Sequence, residues 1–252
     1  MKKHKKPLSA LMAFALLLLL WALAAFVIKK PFLPGPWISA KAFWGLLESG
    51  ELIRHAFASL KRVLASLGFA FPLAAALGLW AGRSVKVDSL VSPLAYVLHP
   101  LPKAALLPVI MLLFGLGDSA KIILLGLVIF FQVLVSARDS ARRLSRELVD
   151  SVRSLGAGKR DMAFIVILPA ALPDLFTSLR VSLGTAVAVL FLSETFATEN
   201  GLGFLIVDSW ARIAYPEMYA AILALSFLGL GLFALAEIAE KLLCPWATQR
   251  RN

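Results

Sequence analysis

The sequence predicts an all-α polytopic membrane protein with six transmembrane helices. Three observations carry this. Of its 252 residues 60% are hydrophobic and the mean hydropathy is +0.84, whereas a soluble domain is about 45–50% apolar. Apolar runs of membrane-crossing length recur along the chain. The Lys and Arg residues behind a net charge of +11 gather between alternate runs.

A spanning helix needs about 20 mostly apolar residues, because the hydrocarbon layer is about 30 Å thick and a helix rises about 1.5 Å per residue. The first run is Leu8 to Ile28, with Ser9 as its polar member. Ala22-Leu23-Ala24 resembles a signal-peptide cleavage site. The run, however, exceeds the roughly 7–15 residues of a signal-peptide core, which favours a retained span. The second run, Phe57 to Trp80, carries Lys61-Arg62 near its start. The third, Pro93 to Phe114, holds Lys103 and prolines 93, 100, 102 and 108. Proline removes a backbone donor and clashes with the preceding turn, so this run reads as one kinked helix, lining a wet path or distorted inside a bundle. Lys103 is read as snorkelling to an interface. The fourth run is Ala120 to Val135, the fifth Leu179 to Leu192 and the sixth Met218 to Ala236. Between the first two, Pro31 to His55 opens with the turn-rich "PFLPGPW" and becomes amphipathic, as a segment lying on the membrane surface would.

Six spans put both termini on one side. With that side cytoplasmic, roughly twice as many Lys and Arg fall in inside segments as in outside ones, as the positive-inside rule requires. Lys2, Lys3, Lys5 and Lys6 before the first span outweigh Lys29-Lys30 after it. Topology thus accounts for the charge, and no nucleic-acid partner is needed. The single Cys244 excludes an intrachain disulfide, and His4, His55 and His99 share no helical spacing. No metal or cofactor site is expected.

In the fifth span Ser178 and Ser182, and Gly184 and Ala188, stand four apart, a spacing that permits close helix approach. Ser182, Thr185 and Ser193 either pack or face a polar path. Glu194 ends the span, as a gate residue or as a solvated helix terminus.

The stretch "RSLGAGKRDMAF" (153–164) superficially suggests a phosphate-binding loop. That loop requires G-x-x-x-x-G-K-[ST] after a strand. Here Arg153 stands at the first glycine and Arg160 at the hydroxyl, and the preceding "SRELVDSVRSL" is helical, with Leu148, Val152 and Leu155 on one face. The chain does not bind ATP through this loop. What remains is a charged helix bearing Arg142, Arg143, Arg146, Glu147, Asp150 and Arg153, a glycine turn at Gly156, and a second helix stopped by Pro169. Glycine suits the turn because it accepts left-handed angles. Helix connections usually run about 2–8 residues, so this patterned stretch from about 139 to 169 reads as a docking element for a soluble partner.

Residues 150–169, "DSVRSLGAGKRDMAFIVILP", resemble the cytoplasmic signature of ABC importer permeases: E-A-A, three residues, Gly, nine residues, I-x-L-P. Gly156 takes the glycine, Val166 the isoleucine and Leu168-Pro169 the ending, while Asp150-Ser151-Val152 replaces E-A-A. "ELIRHAFASLKRVL", "HPLPKAALLPVIMLLFGLGDSAK" and "SETFATENGLGFLI" resemble the permeases of nitrate, sulfonate, taurine and bicarbonate importers, with relatives for thiamine precursors. The resemblance spans roughly Glu51 to Glu240.

It implies a type I ABC importer permease in the cell inner membrane. Residues 1–50 would be a cytoplasmic tail, the first span and an outer amphipathic segment; 51–245 a permease core; 246–252 a cytoplasmic tail. It further implies a second copy of the chain, two ABC ATPase subunits, a periplasmic or lipid-anchored substrate-binding protein and membrane lipid as partners. The expected ATPase-coupling residues are Glu147, Asp150, Arg153, Leu155, Gly156 and Pro169, on a docking helix continuous with spans four and five. ATP hydrolysis would belong to the partner. A secondary transporter and an intramembrane enzyme are the alternatives, but H-E-x-x-H and G-x-S-x-G motifs are absent from the sequence, and a charged docking loop has no role in either.

Overall fold

The computed structural model describes residues 5–249. Lys2, Lys3, Arg250 and Arg251, which enter the charge argument, lie outside the described residues. The described chain is helical: α1 (Lys5–Ile28), α2 (Pro36–Glu48), α3 (Glu51–Arg83), α4 (Val85–Leu98), a 3-10 turn (Lys103–Leu106), α5 (Leu107–Phe114), α6 (Asp118–Arg143), α7 (Arg146–Ser154), α8 (Lys159–Asp161), a π-helical turn (Met162–Ile167), α9 (Leu168–Glu194), α10 (Leu202–Ala211), α11 (Tyr215–Leu243) and α12 (Pro245–Gln249).

Four helical runs are long and apolar enough to cross a membrane: α3, α6, the run Lys159–Glu194 and α11. The α4–α5 segment makes a fifth when counted as one broken span. α1 is helical over 24 residues, roughly 36 Å at 1.5 Å per residue. The ends of α6 suit the helix dipole, with Asp118 in its first turn and Arg142 and Arg143 in its last.

The centre of the bundle is α3 against α6, with α9 on α6. Ser66 Oγ donates to the Ile122 carbonyl at 2.9 Å, so the contact register of α3 and α6 rises together along both chains; the two run parallel. Ser178 Oγ donates to the Gln132 carbonyl and Ser136 Oγ to that of Asp174, so α9 returns antiparallel. Close approach of α3 and α6 depends on Gly78 and Gly82. A Cβ on Gly78 would stand 2.6 Å from the Leu134 carbonyl oxygen, and one on Gly82 2.6 Å from Ala141 Cβ. The small-residue pairing therefore falls on Gly78/Gly82 with Ala137/Ala141. Gly184 and Ala188 of the fifth span are exposed, and a Cβ on Gly184 would meet nothing within 4 Å. A second cluster joins α2, α10 and α11 through Leu46, Leu202, Leu205, Ala220 and Ala224.

Several sequence expectations are corrected. The third span is two helices meeting at 88°, the first beginning at Val85. Pro100 and Pro102 sit in the break, where two prolines two residues apart leave too few amide donors to carry a helix through. Lys103 lies at this break rather than reaching for an interface; its ammonium caps the carbonyls of Leu98 and His99 at 3.2 and 2.8 Å and stands 5.4 Å over the Phe131 ring. Lys61-Arg62 does not interrupt α3, which runs on through Pro72 as well. Pro169 does not stop a helix: it lies in the first turn of α9, where its missing N–H is tolerated. The π-helical turn just before it absorbs the change of register.

Candidate functional site

The elbow between α6 and α9 is built from local chemistry. Arg142 and Arg143 close α6, and an extended Leu144–Ser145 link separates it from α7. The docking helix is thus not continuous with the fourth span, because Ser145 starts a new helix; its hydroxyl accepts the Leu148 amide at 3.2 Å. α7 ends in a left-handed turn. Gly156 has φ +87°, its N–H donates to Arg153 O, and the Ala157 N–H donates to Val152 O. That bond pair is the glycine-terminated helix stop that satisfies the last carbonyls. The Gly158 N–H donates to Asp161 Oδ2 at 2.9 Å and opens α8.

α7 packs on the Met162–Ile167 turn with Val149 buried. The face expected from Leu148, Val152 and Leu155 is not the inner one: Leu148 is 45% and Leu155 87% exposed. The inner contact falls one residue later, on Val149. Glu147, Asp150, Arg153, Leu155 and Gly156 all lie on the exposed elbow. Pro169 is half-buried in α9, roughly 15 Å along the helix from α8, and does not join them.

The four residues considered for a path or gate divide. Ser182 and Ser193 are buried and donate to their own helix, to Ser178 O and Leu190 O. Thr185 is exposed midway along α9 and meets Gln132 Nε2 of α6 at 3.4 Å. Gln132 Oε1 is buried with no hydrogen-bond partner among the described residues. This Gln132–Thr185 pair is a polar spot halfway along two membrane-length helices.

Glu194 is not a solvated helix end. Its carboxylate is fully buried at the far end of α9 from the elbow, in a cluster that reading the sequence did not assemble. Arg62 Nη1 donates to Glu194 Oε1 at 2.5 Å, and Arg62 Nε donates to Asp118 Oδ1 at 2.8 Å. Ser59 Oγ reaches Glu194 at 2.9 Å, and the Gly203 N–H donates to Glu194 Oε2 at 2.8 Å. Lys121, 1% exposed, donates to Leu116 O and Ala197 O. Two cations and two carboxylates thus balance, as burial away from water demands. The glycines are steric requirements here. Gly201 has φ +136°, and a Cβ on it would lie 2.6 Å from Arg62 Nη1; one on Gly203 would lie 2.7 Å from Glu194 Cβ. The signal was present in the sequence: cations inside apolar runs, an acid at a span end, and G-L-G seven residues after it. The three quoted segments, from 51, 99 and 193 onward, converge on this one cluster.

The larger grooves are apolar. One of about 550 Å³ lies between α2, α3 and α11, lined by residues such as Phe43, Leu52, Phe57 and Phe227; its lining suits acyl chains rather than a polar solute. Among the described residues no group of His, Cys, Asp or Glu is placed to hold a metal ion.

Comparison with known proteins agrees with this architecture. The chain is similar to the taurine transport system permease protein TauC of Escherichia coli, 31% identical over 242 residues, covering 92% of this chain and 86% of that one. It is similar along almost its whole length to the formylaminopyrimidine transport permease protein ThiX of Halalkalibacterium halodurans, at 28% identity over 247 residues, 98% of each. Residues 74–249 match the family described as binding-protein-dependent transport system inner membrane component. With that match over most of its length, this multi-pass helical membrane protein belongs to that family, as the permease subunit of an ABC importer and not an enzyme in itself.

Proposed function

We propose that the chain is driven through the elbow around Gly156 by a separate ATPase, and that it carries a small anionic or zwitterionic solute such as a sulfonate, or a thiamine-precursor-like pyrimidine. The observation that carries this reading is the elbow itself. Short, charged and exposed, it ends in a fixed glycine turn and joins two membrane-length helices. Leu155, with 87% of its surface free, offers an apolar knob, and Glu147, Asp150 and Arg153 offer charges around it. A cleft on the ATPase would take this knob. Closure of two ATPases on ATP would draw together the elbows of two copies and tilt α6 and α9, so that the path between copies opens alternately to each side. Such coupling needs two discrete states that ATP biases.

In this reading the elbow end is cytoplasmic, six spans cross the membrane with α1 as the first, and both termini lie inside. A second copy, two ATPase subunits and a substrate-binding protein complete the transporter. The solutes named for TauC and ThiX support the substrate class, and the Gln132–Thr185 spot offers it hydrogen bonds in mid-membrane.

Co-purification tests the reading. The wild-type chain should bring down an ABC ATPase, and Leu155→Asp or reversal of Glu147 and Asp150 should lower its recovery about tenfold while leaving the chain folded. Undiminished recovery with these variants, or ATP hydrolysis by the chain alone, sinks it.

A further inference from the structure

The cluster around Arg62 binds more than charge. Its bonds fall on one segment, the loop that leaves α9 and the first turn of α10. Lys121 holds the carbonyl of Ala197 at 3.3 Å, and Arg62 holds that of Asn200 at 2.7 Å and the Thr198 hydroxyl at 3.4 Å. The next three amides each find a side chain. Gly201 N–H donates to His55 Nδ1 at 3.0 Å, Leu202 N–H to Ser59 Oγ at 2.8 Å and Gly203 N–H to Glu194 Oε2 at 2.8 Å. Helix-starting amides have no partner of their own. Here they are satisfied from α3 and α9, while Lys121 and Asp118 tie in α6. The loop also keeps Ala197 in a left-handed conformation, φ +46°, which persists only where surroundings over-determine it. Beyond this clasp, the same end of the molecule exposes Phe196, Trp210 and Ile213 at 58, 62 and 69%.

We infer that His55, Ser59, Arg62, Lys121 and Glu194 are positioning residues that make the loop from Thr195 to Gly201, together with α10, one rigid body with α3, α6 and α9, so that a substrate-binding protein seated on the exposed Phe196–Trp210–Ile213 surface moves the path-lining helices directly. The inference rests on the importer reading above. Its physical content is simple. A loose loop absorbs a docking contact by bending, and differential contact energy then never reaches the helices. A loop bonded to three helices through six backbone or side-chain contacts cannot bend without breaking buried bonds, so docking and helix tilt become one equilibrium.

The test uses the complete transporter, chain, ATPase and binding protein, in lipid nanodiscs. ATPase rate is read against binding-protein concentration for wild type, Glu194→Gln, Ser59→Ala and Ser59→Thr, with thermal midpoints alongside. Ser59→Ala keeps the ion pair and removes the hydroxyl shared by Glu194 and Leu202. It should raise the half-stimulating concentration, or cut the stimulated rate, about tenfold, with the unstimulated rate unchanged and Ser59→Thr restoring the native curve. Glu194→Gln should do at least as much. The inference is overturned if Ser59→Ala responds like wild type, or if its loss only tracks the fraction of protein that has unfolded. A wild-type complex that holds no ATPase, or that ignores any binding protein, overturns the importer reading and this inference with it. A stimulated wild type beside indifferent variants overturns this inference alone.

Discussion

The two ends of the α6–α9 pair are built on opposite principles. At the Glu194 end, Arg62 and Glu194 side chains are 4% and 0% exposed and every oxygen of the carboxylate is bonded. At the elbow end the ion pair Arg143–Asp174 is 67% and 45% exposed, and α7 is a 9-residue helix whose hydrophobic anchor is Val149. Isolated helices below about 12–15 residues are marginal, and surface ion pairs contribute about 0–1 kcal/mol. One end is thus fixed by the chain's own bonds. The other is shaped by its caps but weakly held, as suits a part whose final position a partner sets. A further set of pairs, Asp88 with Arg138 and Arg142 and Arg180 with Glu240, ties the helix ends behind the elbow without covering it.

This contrast can be broken by measurement. The largest expected effect is at the buried end. Glu194→Ala leaves Arg62 without a buried partner and should cost about 3–5 kcal/mol, seen as a lower unfolding temperature in detergent, whereas Asp174→Ala at the exposed pair should cost under about 1 kcal/mol. Equal losses would erase the distinction between the ends. Next is Gly201→Ala, whose side chain would need a backbone region open almost only to glycine, at about 1–3 kcal/mol, and would also press on Arg62 Nη1. Its unfolding midpoint should fall between those of Glu194→Ala and wild type, and a neutral result would mean that the clasp tolerates a shifted loop. The smallest effect on stability is expected at Gly156. Replacement by Val should cost about 1–2 kcal/mol locally, yet it should uncouple ATP hydrolysis from transport, because α8 then leaves the turn in the wrong direction. Transport at the full rate with normal ATPase stimulation would remove the elbow from the mechanism.

Some of this was readable residue by residue. The apolar runs, the positive charge between them, and the glycine turn after "SRELVDSVRSL" are local features, since hydropathy, helical period and left-handed backbone angles are properties of a few neighbouring residues. Gly156 adopts the positive φ that its place in the pattern predicts. Even locally, period arguments erred by one position, putting Leu148 and Leu155 inside where Val149 belongs, because a short helix at a surface has its inner face chosen by what it lands on.

Sequence alone therefore determined that this chain is a bundle of membrane-length helices with a bent, charged elbow, since burial of apolar length in lipid is decided segment by segment. Tertiary structure decided which charges are functional and which are ballast. Arg62 and Glu194 are 132 residues apart in sequence, and nothing in either neighbourhood states that one will neutralise the other. The 88° break before Leu107, the passage of a helix through Pro169, and the close seating of Gly78 and Gly82 on α6 were settled likewise. Each depends on what another helix offers in space: a carbonyl, a charge or a few tenths of an ångström of room.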